Sequence, residues 1–195
     1  MNIEGKICRL RALEPEDLEA MYGWENDTEA WQVSGSVAPF SRHVLSRLID
    51  EQAFDIYATR QMRLVIEAVV DGITEAVGAC GEVAGACGES VGACGKAVGA
   101  VDLFEFDPQN RRAGVGIIIS PEYRQKGLAL DALLTLEGYV REVLHMHQLW
   151  CSVGANNAAS LALFRRAGYA ECGCRREWIL TSSDAVDEIL MQKIL

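Results

Sequence analysis

Positive charge is in short supply. The chain has 18 Lys and Arg against 28 Asp and Glu, for a formal net charge of −10. A nucleic-acid binder shows a basic face or stripe, and none is written here. Long apolar runs are missing too: no stretch reaches the roughly 20 residues needed to cross a bilayer. Met1 to Lys6 lack the apolar core of a signal peptide. These absences lead us to expect no nucleic-acid partner, no membrane partner and a cytoplasmic location. Histidines number only three. His145 and His147, with Cys151, fall where a helix runs into a strand, and their ligand directions do not converge, so no metal is expected. The seven cysteines are odd in number and match no disulfide framework, so free thiols are expected.

What is present suits one globular domain. The 195 residues are 50% hydrophobic and 24% charged, enough for a single sizeable core. One segment stands apart. Residues 77–83, 84–90 and 91–97 repeat a seven-residue unit with a Gly-Ala-Cys-Gly centre, and a fourth copy starts at Val98 and runs into a strand. Removing 77–97 joins Ala76 to Val98 and leaves an ordinary hairpin, so the repeat reads as a duplicated insertion. Its odd period flips the strand face with each copy, and its glycines weaken any helix or strand. A glycine-rich loop or irregular hairpin outside the core is expected. Cys80, Cys87 and Cys94 recur at that same period, which is not a zinc spacing.

Around the insertion the pattern alternates between strand and helix. Lys6 to Leu13 alternates apolar and polar residues. Pro15 opens a helix that turns Leu18, Met21 and Tyr22 inward, with Trp24 and Trp31 around its end. A second helix, about Arg42 to Thr59, is expected to bury Val44, Leu45, Leu48, Ile49 and Phe54. Met62–Val69 is a strand, Asp71-Gly72 a hairpin signal, and Ala100–Phe106 and Arg111–Ile119 an antiparallel pair around the turn at 107–110. A helix with Ala129, Ala132, Leu133, Leu136, Val140, Val143 and Leu144 on one face follows. Leu149–Val153 is then a strand parallel to Ile117–Ser120, because a helix links them. Asn157 opens a short helix ended by Gly168. Tyr169–Cys174, Arg176–Leu180 and Ile189–Ile194 complete the sheet, with a last turn at 184–187.

The junction Arg124-Gln125-Lys126-Gly127-Leu128-Ala129 joins a strand end to a helix start. Helix N-termini present free amides and partial positive charge, which together attract anions. Gly127 lets the backbone approach a phosphate closely, and Arg124 can add a forked contact. Arg-x-x-Gly-x-Ala, followed by Asn157-x-x-Ser160 and Leu161-x-Leu163-Phe164-x-x-Ala167-Gly168-Tyr169, resembles the GNAT acetyltransferase superfamily, near its ribosomal-protein and spermidine/diamine branch. The resemblance covers nearly all of the chain outside 77–97. It implies an α/β (α+β) GNAT fold: a mixed, mostly antiparallel seven-stranded sheet with helices on both faces and a splayed central parallel pair.

It also implies acetyl-CoA as co-substrate and a primary amine as acceptor, with a homodimer as one possible assembly. The diphosphate would rest on the amides of Gln125, Lys126, Gly127, Leu128 and Ala129, helped by Arg124. The pantetheine arm would meet the unpaired backbone of Ile117, Ile118 and Ile119, and Asn157. One N–H of that strand would polarise the acetyl carbonyl. An alkylamine is mostly protonated at neutral pH, so a carboxylate must help remove a proton. Asp102 and Glu105 are the candidates, and they point to opposite faces. The family's general-acid tyrosine falls at Phe164, which cannot donate. Ser160 or water takes over, or the thiolate leaves unassisted. Three functions stay open: acetylation of a small polyamine-like amine, acetylation of a protein N-terminus, and non-catalytic CoA binding. The 77–97 repeat would shield the cofactor's phosphate end or contact a second subunit.

Overall fold

The computed structural model describes residues 3–28, 31, 38–51, 55–69, 96–181 and 184–195. In chain order these hold β1 (Ile3–Glu4), β2 (Cys8–Arg11), a 3-10 turn at Pro15–Asp17, α1 (Leu18–Glu25), α2 (Arg42–Glu51), α3 (Ile56–Thr59), β3 (Met62–Ala68), β4 (Ala97–Asp107), β5 (Arg112–Ile119), α4 (Leu128–Glu142), β6 (Gln148–Gly154), α5 (Ala158–Arg166), β7 (Ala170–Leu180) and β8 (Ala185–Ile194). The strands form one sheet in the order β1-β2-β3-β4-β5-β6-β8-β7. All pairings are antiparallel except β5 with β6. That pair is parallel because α4 carries the chain back across one face before β6 begins.

Period-two alternation sorts the strands onto two cores. Val101, Leu103, Ile119, Leu149, Cys151 and Met191 pack with Leu128, Ala132, Leu133, Leu136 and Val140 of α4 and with Leu161 and Phe164 of α5. Val65, Ala100 and Ile118, neighbours across three strands, turn to the other face and meet Met21 and Trp24 of α1 and Leu45 and Ile49 of α2. The site lies where the chain must pass between these two faces.

Several sequence expectations are corrected. Among the described residues the sheet has eight strands rather than seven. The added β1 pairs only Ile3 with Leu10 and Glu4 with Arg9, too short a run for alternation to reveal. The second helix is two: Asp55, extended at φ −167°, separates α2 (Arg42–Glu51) from α3 and starts α3 by accepting from the Tyr57 N–H. Residues 52–54, including Phe54, lie outside the described residues, as do Asp71-Gly72 and 77–95 of the repeat. Val44 and Val143 are exposed, at 44% and 50%. Spacing puts each on the apolar stripe, yet among the described residues neither is covered; Val143 lies at the rim of a groove with Ile3 and Glu4 of β1. Tyr169–Cys174 and Arg176–Leu180 are one strand, β7, with a bulge between Arg175 and Ile179 where Glu177 takes a φ of 50°. The last turn is earlier than expected, and Ala185 to Asp187 already belong to β8.

The thiols of Cys8, Cys151, Cys172 and Cys174 are free. Burial pushes Cys151 up to about 12, so it packs as an apolar side chain rather than reacting.

A buried carboxylate locks the first strands onto α4. Asp131, 8% exposed, accepts from the amides of Ile7 at 2.8 Å and Cys8 at 3.1 Å. Burial alone would raise its pKa, but the amides of Ile7, Lys6 and Cys8 outweigh it and hold the carboxyl below its ordinary value. A depressed carboxyl adds stability above its unfolded pKa, and that stability is lost as pH falls through the folded value. Asp131→Asn is therefore expected to lower unfolding free energy at pH 7 by about 1–3 kcal/mol. The deficit should shrink below pH ~4. Urea denaturation across that range checks both, and a constant deficit at every pH would contradict the linkage.

Candidate active site

The parallel pair comes apart. β5 and β6 are in register only at Arg112 with Gln148, Ala113 with Leu149 and Gly114 with Trp150. β5 runs on to Ile119, still paired to β4. β6 runs on to Gly154, still paired to β8. Each strand keeps its outer neighbour and loses its inner one, so a wedge opens through the sheet from Val115 onward.

The ladder decides which groups face the wedge. Ser120 donates its N–H to the Val98 carbonyl at 2.9 Å. Alternation along an antiparallel strand then turns the amide and carbonyl of Ile118 toward Ala100 of β4. Those of Ile117 and Ile119 point the other way, into the wedge. Ile118 was grouped with its neighbours from sequence; its backbone is committed to the ladder. Arg124 closes part of the edge by donating from Nε to the Ile119 carbonyl at 3.0 Å.

Directly after β5 the chain makes a short 3-10 turn, Pro121–Tyr123, and reaches the loop before α4. Gln125 has a φ of 62° and Gly127 one of 83°. Two left-handed residues so close together curl successive amides toward one side, a geometry that cradles anions. With the described residues, the N–H groups of Gln125, Lys126, Gly127, Leu128 and Ala129 make no hydrogen bond, and helical bonding begins at Asp131 N to Gly127 O, 3.1 Å. The cradle and the open end of the wedge lie at the same end of the sheet.

Glycine shapes the α1 side of β5. A Cβ on Gly114 would sit 2.3 Å from the Phe104 ring, because Phe104 of β4 lies across it to meet Trp150 of β6 edge-to-face at 5.3 Å. One pleat further on, a Cβ on Gly116 would lie 3.9 Å from the Asp102 Cβ. With the Gly114 side chain missing, Phe104 of β4 reaches across β5 to β6. The Asp102 carboxylate accepts from Arg63 of β3, its cross-strand partner, through Nε at 2.7 Å and Nη2 at 2.9 Å. Arg63 also pairs with Glu25 of α1. Burial would lower the Arg63 pKa, but the carboxylates of Asp102 and Glu25 outweigh it and raise it further. Trp24 ties α1 to the end of β5 by donating to the Ser120 hydroxyl at 2.8 Å.

The three residues proposed for proton transfer do not come together. Asp102 lies opposite Gly116, beside the open stretch. Glu105 lies past Phe104, where the register shifts, with a φ of 47°. It faces the joined end and lines a groove of about 860 Å³ with Arg112, Gln148 and Trp150. That groove includes neither Asp102 nor the wedge. Ser160 is on the α4/α5 side, in the first turn of α5, where its N–H donates to the Asn157 side chain at 3.1 Å. Asn157 therefore caps the helix with its oxygen and keeps its amide nitrogen for other work. Phe164 is buried at 4% exposure, edge-on to Tyr169 at 5.1 Å.

Sequence reasoning missed Arg63, Glu25 and the Trp24–Ser120 bond. The Arg63–Asp102 pair was hidden by the insertion, which obscures how far to slide β3 along β4. Nothing in the local sequence points to the other two. Among the described residues no cluster of three or more His, Cys, Asp or Glu could hold a metal.

Comparison with known proteins agrees with this geometry. Escherichia coli (strain K12) spermidine N(1)-acetyltransferase is 29% identical over 163 residues, covering 83% of this chain and 72% of that protein. The [ribosomal protein bS18]-alanine N-acetyltransferase of the same strain is 33% identical, but over 75 residues, 38% of this chain and 50% of that one. A crystal structure of spermidine N-acetyltransferase from Vibrio cholerae, in complex with CoA and spermine, shares the fold. Its TM-score is 0.76 at 22% identity, covering 96% of this chain and 95% of that one. The acetyltransferase (GNAT) domain family matches residues 8–170; with the wedge and the amide cradle in place, the chain belongs to that family and is an acyltransferase.

Proposed function

We propose that the protein transfers acetyl from acetyl-CoA to a primary amine of a small polyamine by direct attack in a ternary complex. The observation that carries this is the wedge between β5 and β6 ending beside the free amides of Gln125 to Ala129. A long thioester cofactor needs both at once: an anion cradle for its diphosphate, and a through-sheet opening for its arm. The likeness to spermidine acetyltransferases supports the acceptor class. A homodimer in the cytoplasm is part of the proposal.

The roles follow from position. Gln125, Lys126, Gly127, Leu128 and Ala129 present amides to the diphosphate, and the α4 dipole adds to them. Ile117 and Ile119 offer wedge-facing amides to the pantetheine and the acetyl oxygen. Asn157, with its nitrogen free, completes the arm's contacts. The amine approaches from the α1 side, where Asp102 and Glu25 make the surface acidic. Asp102 is favoured over Glu105 as the proton acceptor, directly or through water, because it flanks the open stretch. Each of its oxygens gives Arg63 one bond and keeps a second acceptor site. Ser160 stands on the far side, where the thiolate would leave.

The test is release of free CoA thiol from acetyl-CoA with spermidine and simple diamines, against peptides with a free N-terminus. Polyamine-dependent release is expected. Release with peptides only would move the acceptor to proteins, and release with neither would leave CoA binding alone. Asp102→Asn is expected to lower kcat/KM by about 10²-fold or more with little change in the KM for acetyl-CoA. Glu105→Gln should stay within about threefold of wild type, as for an exposed side chain. Equal losses in the two variants would remove the distinction between them. Phe164→Tyr, which restores the phenol that the family carries at this position, is expected to raise kcat by roughly tenfold. No gain would show that the thiolate needs no donor at that position.

A further inference from the structure

A buried carboxylate stands one helical turn beyond the amide cradle. Asp131 follows Gly127 by four residues, and its N–H makes the first helical hydrogen bond of α4, to the Gly127 carbonyl at 3.1 Å. A negative charge this close to an anion site opposes the anion. An acid in the first turn does favour the helix dipole, but an exposed side chain supplies that benefit equally well. Asp131 is buried instead. Its Oδ2 accepts from the amides of Ile7 and Cys8, where the turn between β1 and β2 enters β2.

That turn is shaped to receive it. Gly5 donates to the Cys8 carbonyl at 2.8 Å, and Val69, just past β3, donates to the Ile7 carbonyl at 3.0 Å, so the turn is fixed to the sheet. A Cβ on Gly5 would lie 2.6 Å from both Asp131 Oδ2 and Thr135 Oγ1 and 2.7 Å from the Cys8 carbonyl oxygen. Neither side chain can step aside, because Thr135 Oγ1 is itself bonded to the Asp131 carbonyl at 2.7 Å. The turn also reaches the cradle directly: the Ile7 Cδ1 sits 3.6 Å from where a Gly127 Cβ would be. Apolar packing of Leu128, Ala132, Leu133 and Leu136 seats α4 on the sheet, but such burial has no direction. Two hydrogen bonds converging on one carboxylate do have direction. They fix how far along its axis the helix sits.

We infer that Asp131 is a positioning residue for the donor: by tying the first turn of α4 to the β1–β2 turn, it sets the place of the Gly127 amides relative to the wedge. This rests on the acetyl-CoA reading above and adds a residue that acts through the backbone of the cradle. Charge and position pull in opposite directions here. Removing the charge alone would strengthen binding of a diphosphate, whereas losing the tether weakens it.

The experiment measures steady-state kinetics of the full-length protein with spermidine and two donors, acetyl-CoA and S-acetylpantetheine, which ends before the diphosphate. Asp131→Asn is expected to raise the KM for acetyl-CoA about tenfold. The kcat, the KM for spermidine and the kcat/KM for S-acetylpantetheine should stay within about twofold of wild type. Gly5→Ala, which presses the turn off α4 from the other side, should give the same pattern, and either variant alone decides the matter if the other does not fold. Glu142→Gln, which removes an exposed carboxylate from the same helix, is the control and should alter neither donor. Calorimetric titration with CoA, well below each variant's unfolding midpoint, reads the same tenfold weakening without turnover. An unchanged or lower KM and Kd in Asp131→Asn, or equal losses with the two donors, would overturn the positioning role while leaving the acetyltransferase reading intact. Failure of wild type to bind CoA would instead overturn the reading beneath it.

Discussion

Past Gly114 and Trp150 two parallel strands stop sharing hydrogen bonds, and the rest of the architecture answers to that break. Backbone amides and carbonyls in a sheet are obligatory bonding groups, costly to bury unpaired. A wedge in mid-sheet is therefore stable only if each strand is held firmly from its outer side. β4 holds β5 as far as Ile119, and β8 holds β6 as far as Gly154. The Trp24–Ser120 bond and the Arg124 contact to the Ile119 carbonyl secure the tip of β5, where only one neighbour remains. The open amides are thus kept in place rather than repaired.

In the proposed reaction the two cores divide the labour. α4 and α5 cover one face and present the cradle and the start of α5. α1 and α2 cover the other and bring the Glu25–Arg63–Asp102 chain of charges to the glycine-lined strand. A group passing through the wedge meets cationic and amide donors at one end and carboxylates at the other. On the proposed function, an anionic cofactor and a cationic acceptor would be sorted to opposite sides by charge before any specific contact forms.

Much of this was readable in the chain because its signals are local. The loop at Arg124–Ala129, the helix stripe after it and the cap at Asn157 depend on residues within a few positions of each other, and the structure has a loop, a helix and a cap there. The long-range features were not readable from local pattern. That β5 and β6 separate was expected from the family resemblance alone, because it depends on partners some thirty-five residues apart, and the two-residue β1 leaves no pattern at all. Val44 and Val143 have the right spacing for burial but stay exposed, since periodicity marks a face without saying what covers it. The choice between Asp102 and Glu105 needed the register of β4 on β5, and the shift after Phe104 breaks the simple alternation on which a count along the strand relies.

The bare stretch at Gly114 and Gly116 has an evolutionary corollary. A strand without side chains on its acceptor face contributes shape but no preferences. On the proposed function, discrimination among incoming amines would fall to the walls around it: Asp102 and Phe104 on one flank, Trp150 on the other, and Glu25, which pairs with Arg63. Those positions sit on three separate elements, α1, β4 and β6, and could drift one at a time while the backbone proposed to hold the donor stays fixed. Such a division lets a lineage exchange substrates by small steps without rebuilding its machinery.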